Sequence, residues 1–69
     1  MKNQNILLIS ESDTVKKAII KMKKNGARTV VITNSKKFLL GTLSAGDIQK
    51  ALIKNKSLNS SVKNIYNKN

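Results

Sequence analysis

Apolar and polar positions follow two kinds of pattern along the chain, and together they predict five secondary-structure elements. Strands are indicated by a short apolar run and a β-branched stretch, and helices by apolar residues at helical spacing with lysines opposite them. A polar loop of hairpin length separates the second strand from the third. The predicted elements are a strand at 6–9, a helix at 14–24, strands at 29–33 and 38–43, and a helix at 46–54.

Several predicted elements contain residues that commonly begin a helix, end a helix or bend a strand. Ser12 or Asp13 is expected to cap the first helix, because short polar side chains accept hydrogen bonds from the first free N–H groups. Gly26 follows that helix, where the left-handed backbone of a helix end favours glycine. Gly41 in the third strand indicates a bend or a close approach of another backbone segment.

The order strand, helix, strand, strand, helix predicts an α+β fold in which a small sheet packs against two helices. The chain has 69 residues, and a domain of this size buries only about 60% of the surface that its unfolded chain exposes. Pairing with another copy, or with the rest of a longer chain, is therefore expected to add stability. The helix residues expected in the core or in a pairing surface are Val15, Ala18, Ile19, Met22, Ile48, Ala51 and Leu52.

The two ends of the chain are more polar than its middle. Residues 1–5 are expected to be frayed, and the predicted domain covers 6–54. In the tail at 55–69, Val62, Ile65 and Tyr66 have the spacing of one short helical turn that docks on another surface.

The formal net charge of +11 raises the question of nucleic-acid binding, but other features argue against a dedicated surface of that kind. The lysines are spread along the chain and Arg28 is the single arginine, whereas proteins that read base edges rely on arginine. Phe38 and Tyr66 are the two aromatic residues, which is too few for a stacking platform. A lysine- and asparagine-rich proteome bias is the preferred explanation, although the charge should favour phosphate groups in any pocket that it borders.

Residue types that commonly carry catalysis or bind metals are scarce. The chain has no cysteine and no histidine, which excludes disulfides and the usual zinc sites. Glu11, Asp13 and Asp47 are too scattered for a calcium loop or an acid–base pair. We therefore predict a protein that is not an enzyme and holds no metal. No apolar run has the length of a membrane span or a signal peptide, so we predict a cytoplasmic protein without a membrane partner.

The segment 41–52 carries the most informative local chemistry. A strand that ends near Gly41 leads into a helix whose first turn contains Asp47, and the free N–H groups of a helix start can hold an anion. Ser44 adds a hydroxyl and Asp47 a carboxylate able to hold ribose hydroxyls, so the segment suits a nucleotide better than a reaction. The same two residues also fit a capping box, in which each satisfies a backbone N–H of the other, and this alternative stays open.

These patterns resemble the cystathionine-β-synthase (CBS) domain, a regulatory module with a strand-helix-strand-strand-helix core. The resemblance covers about 6–54 and rests on the segments 6–9, 13–22, 25–27, 30–33 and 41–47, which occur in the family's order. The last segment, Gly-Thr-Leu-Ser-Ala-Gly-Asp, matches the family pattern of glycine, two mainly apolar residues, Thr or Ser, two variable residues and Asp.

The resemblance implies a ligand and a set of contacts. In the family, the hydroxyl residue and the aspartate of this motif contact the phosphate and the ribose of adenosine-containing ligands. Groups near the first strand and at the start of the second flank the base, and nearby cations are candidates for neutralising phosphate. The implied regulatory ligands are ATP, ADP, AMP or S-adenosylmethionine, and no cofactor is required. The implied ligand-binding residues are Ser44, Asp47, Ile9, Ser10, Ala27, Arg28, Thr29 and Lys50.

Domains of this family normally occur as two tandem copies with ligand clefts between them. Here one copy is complete, and the residues from 62 onward resemble the linker that opens a second copy, so a homodimer or pairing with a second copy is expected. The segment 41–52 also resembles modules attached to sugar-phosphate nucleotidyltransferases, which implies an attached or partner catalytic domain. A structural dimerisation module without a ligand and a basic nucleic-acid-binding domain are the alternatives.

Overall fold

The computed structural model describes residues 7–68, and this part of the chain contains three strands, two α-helices and one 3₁₀ helix. The predicted order and the α+β class are confirmed. The residues predicted to be frayed, 1–5, and the predicted first strand residue, Ile6, lie outside the described residues. The bounds are β1 Leu8–Ser10, α1 Val15–Asn25, β2 Thr29–Thr33, β3 Leu39–Ser44, α2 Ala45–Ile53 and the 3₁₀ helix Val62–Asn64.

The three strands form one sheet in the order β1-β2-β3. β1 runs parallel to β2 with Ser10 beside Thr33, whereas β2 runs antiparallel to β3 with Thr29 beside Ser44. A parallel pair needs a crossover connection, which α1 supplies. The start of β2 and the end of β3 therefore lie at one end of the sheet, and the ends of β1 and β2 lie at the other.

One face of the sheet packs against the helices and forms the core. Val30 and Ile32 of β2 and Leu43 of β3 are fully buried there, because alternate residues of a strand point to the same face. The predicted apolar helix positions are buried except Ile19, which is half-buried, and Leu52, which is 38% exposed. Neither helix of residues 7–68 combines the length and the apolar character that crossing a membrane requires.

Thr14 caps α1, so the prediction of Ser12 or Asp13 as the cap is wrong. The Thr14 Oγ1 atom accepts a hydrogen bond from the backbone N–H of Lys17 at 3.1 Å. Asp13 Oδ2 instead accepts a hydrogen bond from the backbone N–H of Ser10 at 2.9 Å. The Asp13 side chain therefore stabilises the turn that follows β1, and its other carboxylate oxygen lies 3.6 Å from the Lys17 ammonium in the first turn of α1.

The tail after α2 packs on the domain that precedes it. Val62 is fully buried in the core, and Ile65 and Tyr66 are partly buried against it. The backbone carbonyls of Ser60 and Leu58 accept hydrogen bonds of 2.9 Å from the N–H groups of the first two residues of α1. Such N–H groups have no partner within a helix, so the tail stabilises its start. The predicted short turn is confirmed, and the surface on which it docks is the core of this domain.

Candidate functional site

Ser44 and Asp47 are joined by three hydrogen bonds at the start of α2. The Asp47 N–H donates to Ser44 Oγ at 3.1 Å, and the Ser44 N–H donates to Asp47 Oδ2 at 3.0 Å. The Ser44 hydroxyl also donates to Asp47 Oδ2, at 2.9 Å. The capping box is therefore the local structure of this motif. A ligand at this position has to use the atoms that the box leaves free.

The box also fixes the charge of Asp47. The hydrogen bond from the Ser44 backbone N–H, and then that from the Ser44 hydroxyl, hold the pKa of the Asp47 carboxyl below its ordinary value of 3.8. Partial burial acts in the opposite direction, and the positive charge of Lys50 lowers the pKa further. Asp47 is consequently ionised at neutral pH. Its Oδ1 atom accepts no hydrogen bond from residues 7–68, so this oxygen can accept one from a ligand hydroxyl.

The sheet register brings the start of β2 next to this motif. Thr29, the first residue of β2, is paired with Ser44, the last residue of β3. The backbone N–H of Ala45 donates to the carbonyl of Arg28 at 2.8 Å, which ties the start of α2 to the residue before β2. The side chains of Arg28 and Thr29 are exposed. Four of the predicted ligand-binding residues, Arg28, Thr29, Ser44 and Asp47, therefore lie together.

Ile9 and Ser10 do not lie with them. Because β1 is parallel to β2, Ser10 lies beside Thr33, at the opposite end of β2 from Thr29. Thr29 and Thr33 are four positions apart along β2, which corresponds to about 13 Å. Ile9 is 3% exposed and belongs to the core. The sequence prediction grouped Ile9 and Ser10 with the start of β2, whereas the parallel direction of the strands places Ser10 beside the end of β2.

A cleft lined by three lysines, here called the basic cleft, lies along α2. It has a volume of about 280 Å³. Two of its lining residues, Asp47 and Lys50, were predicted as site residues from the sequence, and the others were not. Lys54 follows Asp47 by seven positions, a helical spacing that could have identified it. Lys56 and Asn64 reach the cleft only because the tail folds back. The lining residues are Asp47, Lys50, Ala51, Lys54, Lys56, Asn64 and Ile65.

Three further predicted site residues line two other clefts, whereas Arg28, Thr29 and Ser44 line none of the three clefts described here. Ala27 lies in an apolar groove of about 340 Å³ between α1 and α2, which also contains Ile19 and Leu52. Ile9 and Ser10 line a cleft of about 300 Å³ at the far end of the sheet. Five of the eight predicted residues are therefore distributed over three clefts, and none of these clefts contains all of them. Among residues 7–68, no three His, Cys, Asp or Glu residues are grouped so as to hold a metal ion.

Comparison with known sequences relates the chain to one family. A family model described as the CBS domain matches residues 1–54. A curated protein of Helicobacter pylori strain J99, named "Uncharacterized protein", is 36% identical over 63 residues. The match covers 91% of this chain and 19% of the relative. The chain thus spans about a fifth of the length of that relative.

Solved structures resemble the fold closely. The CBS-domain containing protein ATU1752 from Agrobacterium tumefaciens gives a TM-score of 0.89 at 23% identity, over 99% of this chain and 52% of that one. The CBS domain protein PAE2072 from Pyrobaculum aerophilum, complexed with AMP, gives a TM-score of 0.88 at 20% identity. The match covers 97% of this chain and 53% of that one. The CBS domain pair of MJ0100, in complex with 5′-methylthioadenosine and S-adenosyl-L-methionine, gives a TM-score of 0.83 at 21% identity. The match covers 97% of this chain and 54% of that one. This chain therefore spans about half of each.

Proposed function

The chain belongs to the CBS domain family, and we propose that it is a regulatory module that binds an adenine nucleotide or a related adenosyl ligand. Two similar structures support this ligand class, because one contains AMP and the other contains 5′-methylthioadenosine and S-adenosyl-L-methionine. Binding is expected to change the packing of the module and thereby the activity of an attached or partner enzyme. Regulation of this kind requires the ligand to have different affinities for two arrangements of the protein.

The observation that carries the proposal is the convergence of Arg28, Thr29, Ser44 and Asp47 at one end of the sheet. Asp47 is ionised and has a free Oδ1 to accept a ribose hydroxyl, and the Ser44 hydroxyl lies beside it. The exposed Arg28 supplies a permanent positive charge for phosphate. Lys50 follows on the next turn of α2 and lines the same cleft as Asp47. Ile9 and Ser10 are left out of the proposed site.

Pairing with a second copy is part of the proposal, because the site of a single copy is open. The similar CBS structures are about twice as long as this chain, which leaves room in each for a second unit of this size. We propose that the second unit is another CBS copy, opened by the tail at 55–69, or the same surface of an identical chain. The attached enzyme is proposed to be a sugar-phosphate nucleotidyltransferase, on the resemblance of 41–52 alone. The module itself is proposed to be non-catalytic.

A structural dimerisation module is the second candidate function. The capping box favours it, because Ser44 and Asp47 are fully explained as a helix start without any ligand. The apolar groove and the exposed Leu52 and Ile53 on α2 offer a surface for pairing. The two candidates differ in whether an adenosine ligand binds to the folded protein.

Amide resonances of the isotope-labelled chain, followed during titration with AMP, test the proposal. We expect saturable shifts at Arg28, Thr29, Ser44 and Asp47, with Ser10 and Thr33 unchanged, because these two lie at the other end of the sheet. Shifts centred on Ser10 and Thr33 would place the ligand in the cleft at the far end of the sheet and would contradict the proposed site. An absence of shifts in a folded, dimeric sample would favour the structural candidate.

A further inference from the structure

The basic cleft has an excess of positive charge that the capping box does not explain. Lys50, Lys54 and Lys56 line it together with one carboxylate, that of Asp47. The one ion pair within residues 7–68 joins Lys17 to Asp13 at 3.6 Å, so no carboxylate oxygen of this part lies within ion-pair distance of the three lysines. Their mutual repulsion would be relieved by a bound anion.

The backbone holds these lysines in a row. Lys54, the residue that caps the end of α2, follows Asp47 by seven positions, which corresponds to about 10.5 Å along the helix axis. Asn55 then adopts a left-handed conformation with φ of 73°, which asparagine tolerates better than most residues. The N–H of Lys56 consequently returns to the carbonyl of Ala51 at 3.0 Å. This turn brings Lys56 back beside the last turn of α2.

The docked tail closes the other side of the same cleft. Asn64 and Ile65 line it, and they are held there by the burial of Val62. The side-chain amide of Asn64 can donate hydrogen bonds to an anion without adding charge. The cleft is therefore built from α2 and the tail together, and it begins at Asp47, the residue proposed to hold the ribose.

We propose that the basic cleft takes the polyphosphate chain of the ligand, so that the preferred ligand is an adenosine di- or triphosphate. This inference rests on the proposed function, since Asp47 anchors the ribose at one end of the cleft. Each additional phosphoryl group adds negative charge along the row from Lys50 to Lys56. S-adenosylmethionine carries a sulfonium cation, which the lysines disfavour, and AMP is too short to follow the row.

Calorimetric titrations with two kinds of probe test the inference. The first probe is tripolyphosphate, which lacks adenosine and examines the cleft alone, and the second is the series ATP, ADP, AMP and S-adenosylmethionine. The test variant combines Lys54→Gln with Lys56→Gln. Lys50 is left unchanged, because its charge acts on Asp47. The matched control is Lys24→Gln with Lys36→Gln, which removes the same charge from exposed positions that line none of the three clefts.

We expect saturable binding of tripolyphosphate and an affinity order of ATP, ADP, AMP and then S-adenosylmethionine. The test variant should weaken tripolyphosphate and ATP by about tenfold and AMP by less than twofold, whereas the control variant leaves all four nearly unchanged. Equal weakening by the control variant, or AMP binding as tightly as ATP, would overturn the inference. If tripolyphosphate bound but none of the four adenosine ligands did, the cleft would still be a polyphosphate site and the proposed function would be refuted.

Discussion

The carbonyl oxygen of Asn67 occupies the space that a Cβ atom would need at Gly41. The two segments are held together by Thr42, whose N–H donates to the Asn67 carbonyl at 3.0 Å and whose carbonyl accepts from the Asn67 N–H at 2.8 Å. The tail thus pairs with the outer edge of β3 and passes directly over the glycine. The close backbone approach predicted for Gly41 from the sequence is confirmed.

Replacement of Gly41 by alanine is expected to lower the free energy of unfolding by about 1–3 kcal/mol, because the added methyl group displaces the tail backbone. Gly46→Ala is the matched control, since its Cβ would meet Ser44 Oγ at an ordinary 3.7 Å. Alanine within a helix is favoured over glycine by about 0.5–1 kcal/mol, so this variant should be slightly more stable. Urea unfolding of both variants measures the difference. Equal stability of the two would show that the tail does not rest on Gly41.

Truncation of Val62 tests whether the tail belongs to the core. Val62→Ala should lower the free energy of unfolding by about 1–3 kcal/mol, because the lost methyl groups are fully buried. Leu58→Ala, in the same tail but 45% exposed, should change it by less than about 0.5 kcal/mol. Thermal or chemical unfolding of the two variants provides the comparison. If both variants were as stable as the wild type, the docking of the tail would contribute nothing to the fold.

The fold was predictable to the extent that it depends on local sequence. The β-branched run at 29–33 matches β2 residue for residue, and Gly26 has the left-handed φ of 64° expected of glycine after a helix. The cap of α1 was predicted wrongly because Ser12, Asp13 and Thr14 are all suitable caps, and the choice depends on the Asp13 hydrogen bond to Ser10. The docking of the tail depends on contacts distant in sequence, which spacing alone does not reveal.

The exposed apolar surface of α2 is expected to mediate pairing of two copies. Leu52→Lys places a charge in the apolar groove and should weaken a dimer at least about tenfold, because burying an unpaired charge is costly. Leu58→Lys is the control, since this leucine is similarly exposed but does not line the groove. Sedimentation equilibrium measures the dissociation constants. An unchanged dimer in the Leu52 variant would assign the contact to another surface.

The capping box predicts a specific dependence of stability on pH. The pKa of Asp47 is lowered in the folded protein, chiefly by the hydrogen bond from the Ser44 backbone, so its contribution is present above the unfolded pKa. This contribution is lost as the pH falls from about 4 through the lower folded pKa. Asp47→Asn keeps an oxygen that can accept the Ser44 N–H but cannot titrate. The free energy of unfolding should therefore fall more in the wild type than in the variant over this range, and parallel curves would contradict the assignment.

The candidate site was predictable only in part. Ser44 and Asp47 were identifiable because a turn between strand and helix places a hydroxyl and a carboxylate three residues apart. The grouping of Thr29 with Ser44 follows from the register of the sheet, and the exclusion of Ser10 follows from the parallel direction of β1. Lys56 joins the cleft through the left-handed turn at Asn55, a conformation that the sequence does not specify.

The most direct test of the account is a calorimetric titration with AMP of the wild type and two cap variants. Ser44→Ala and Thr14→Ala each remove one N-cap, so both should lose about 1 kcal/mol of stability. Only Ser44 lies in the proposed site, and we therefore predict that Ser44→Ala weakens AMP binding at least about tenfold while Thr14→Ala leaves it unchanged. Equal affinities of the two folded variants for AMP would show that Ser44 serves only as a helix cap and would contradict the proposed binding site.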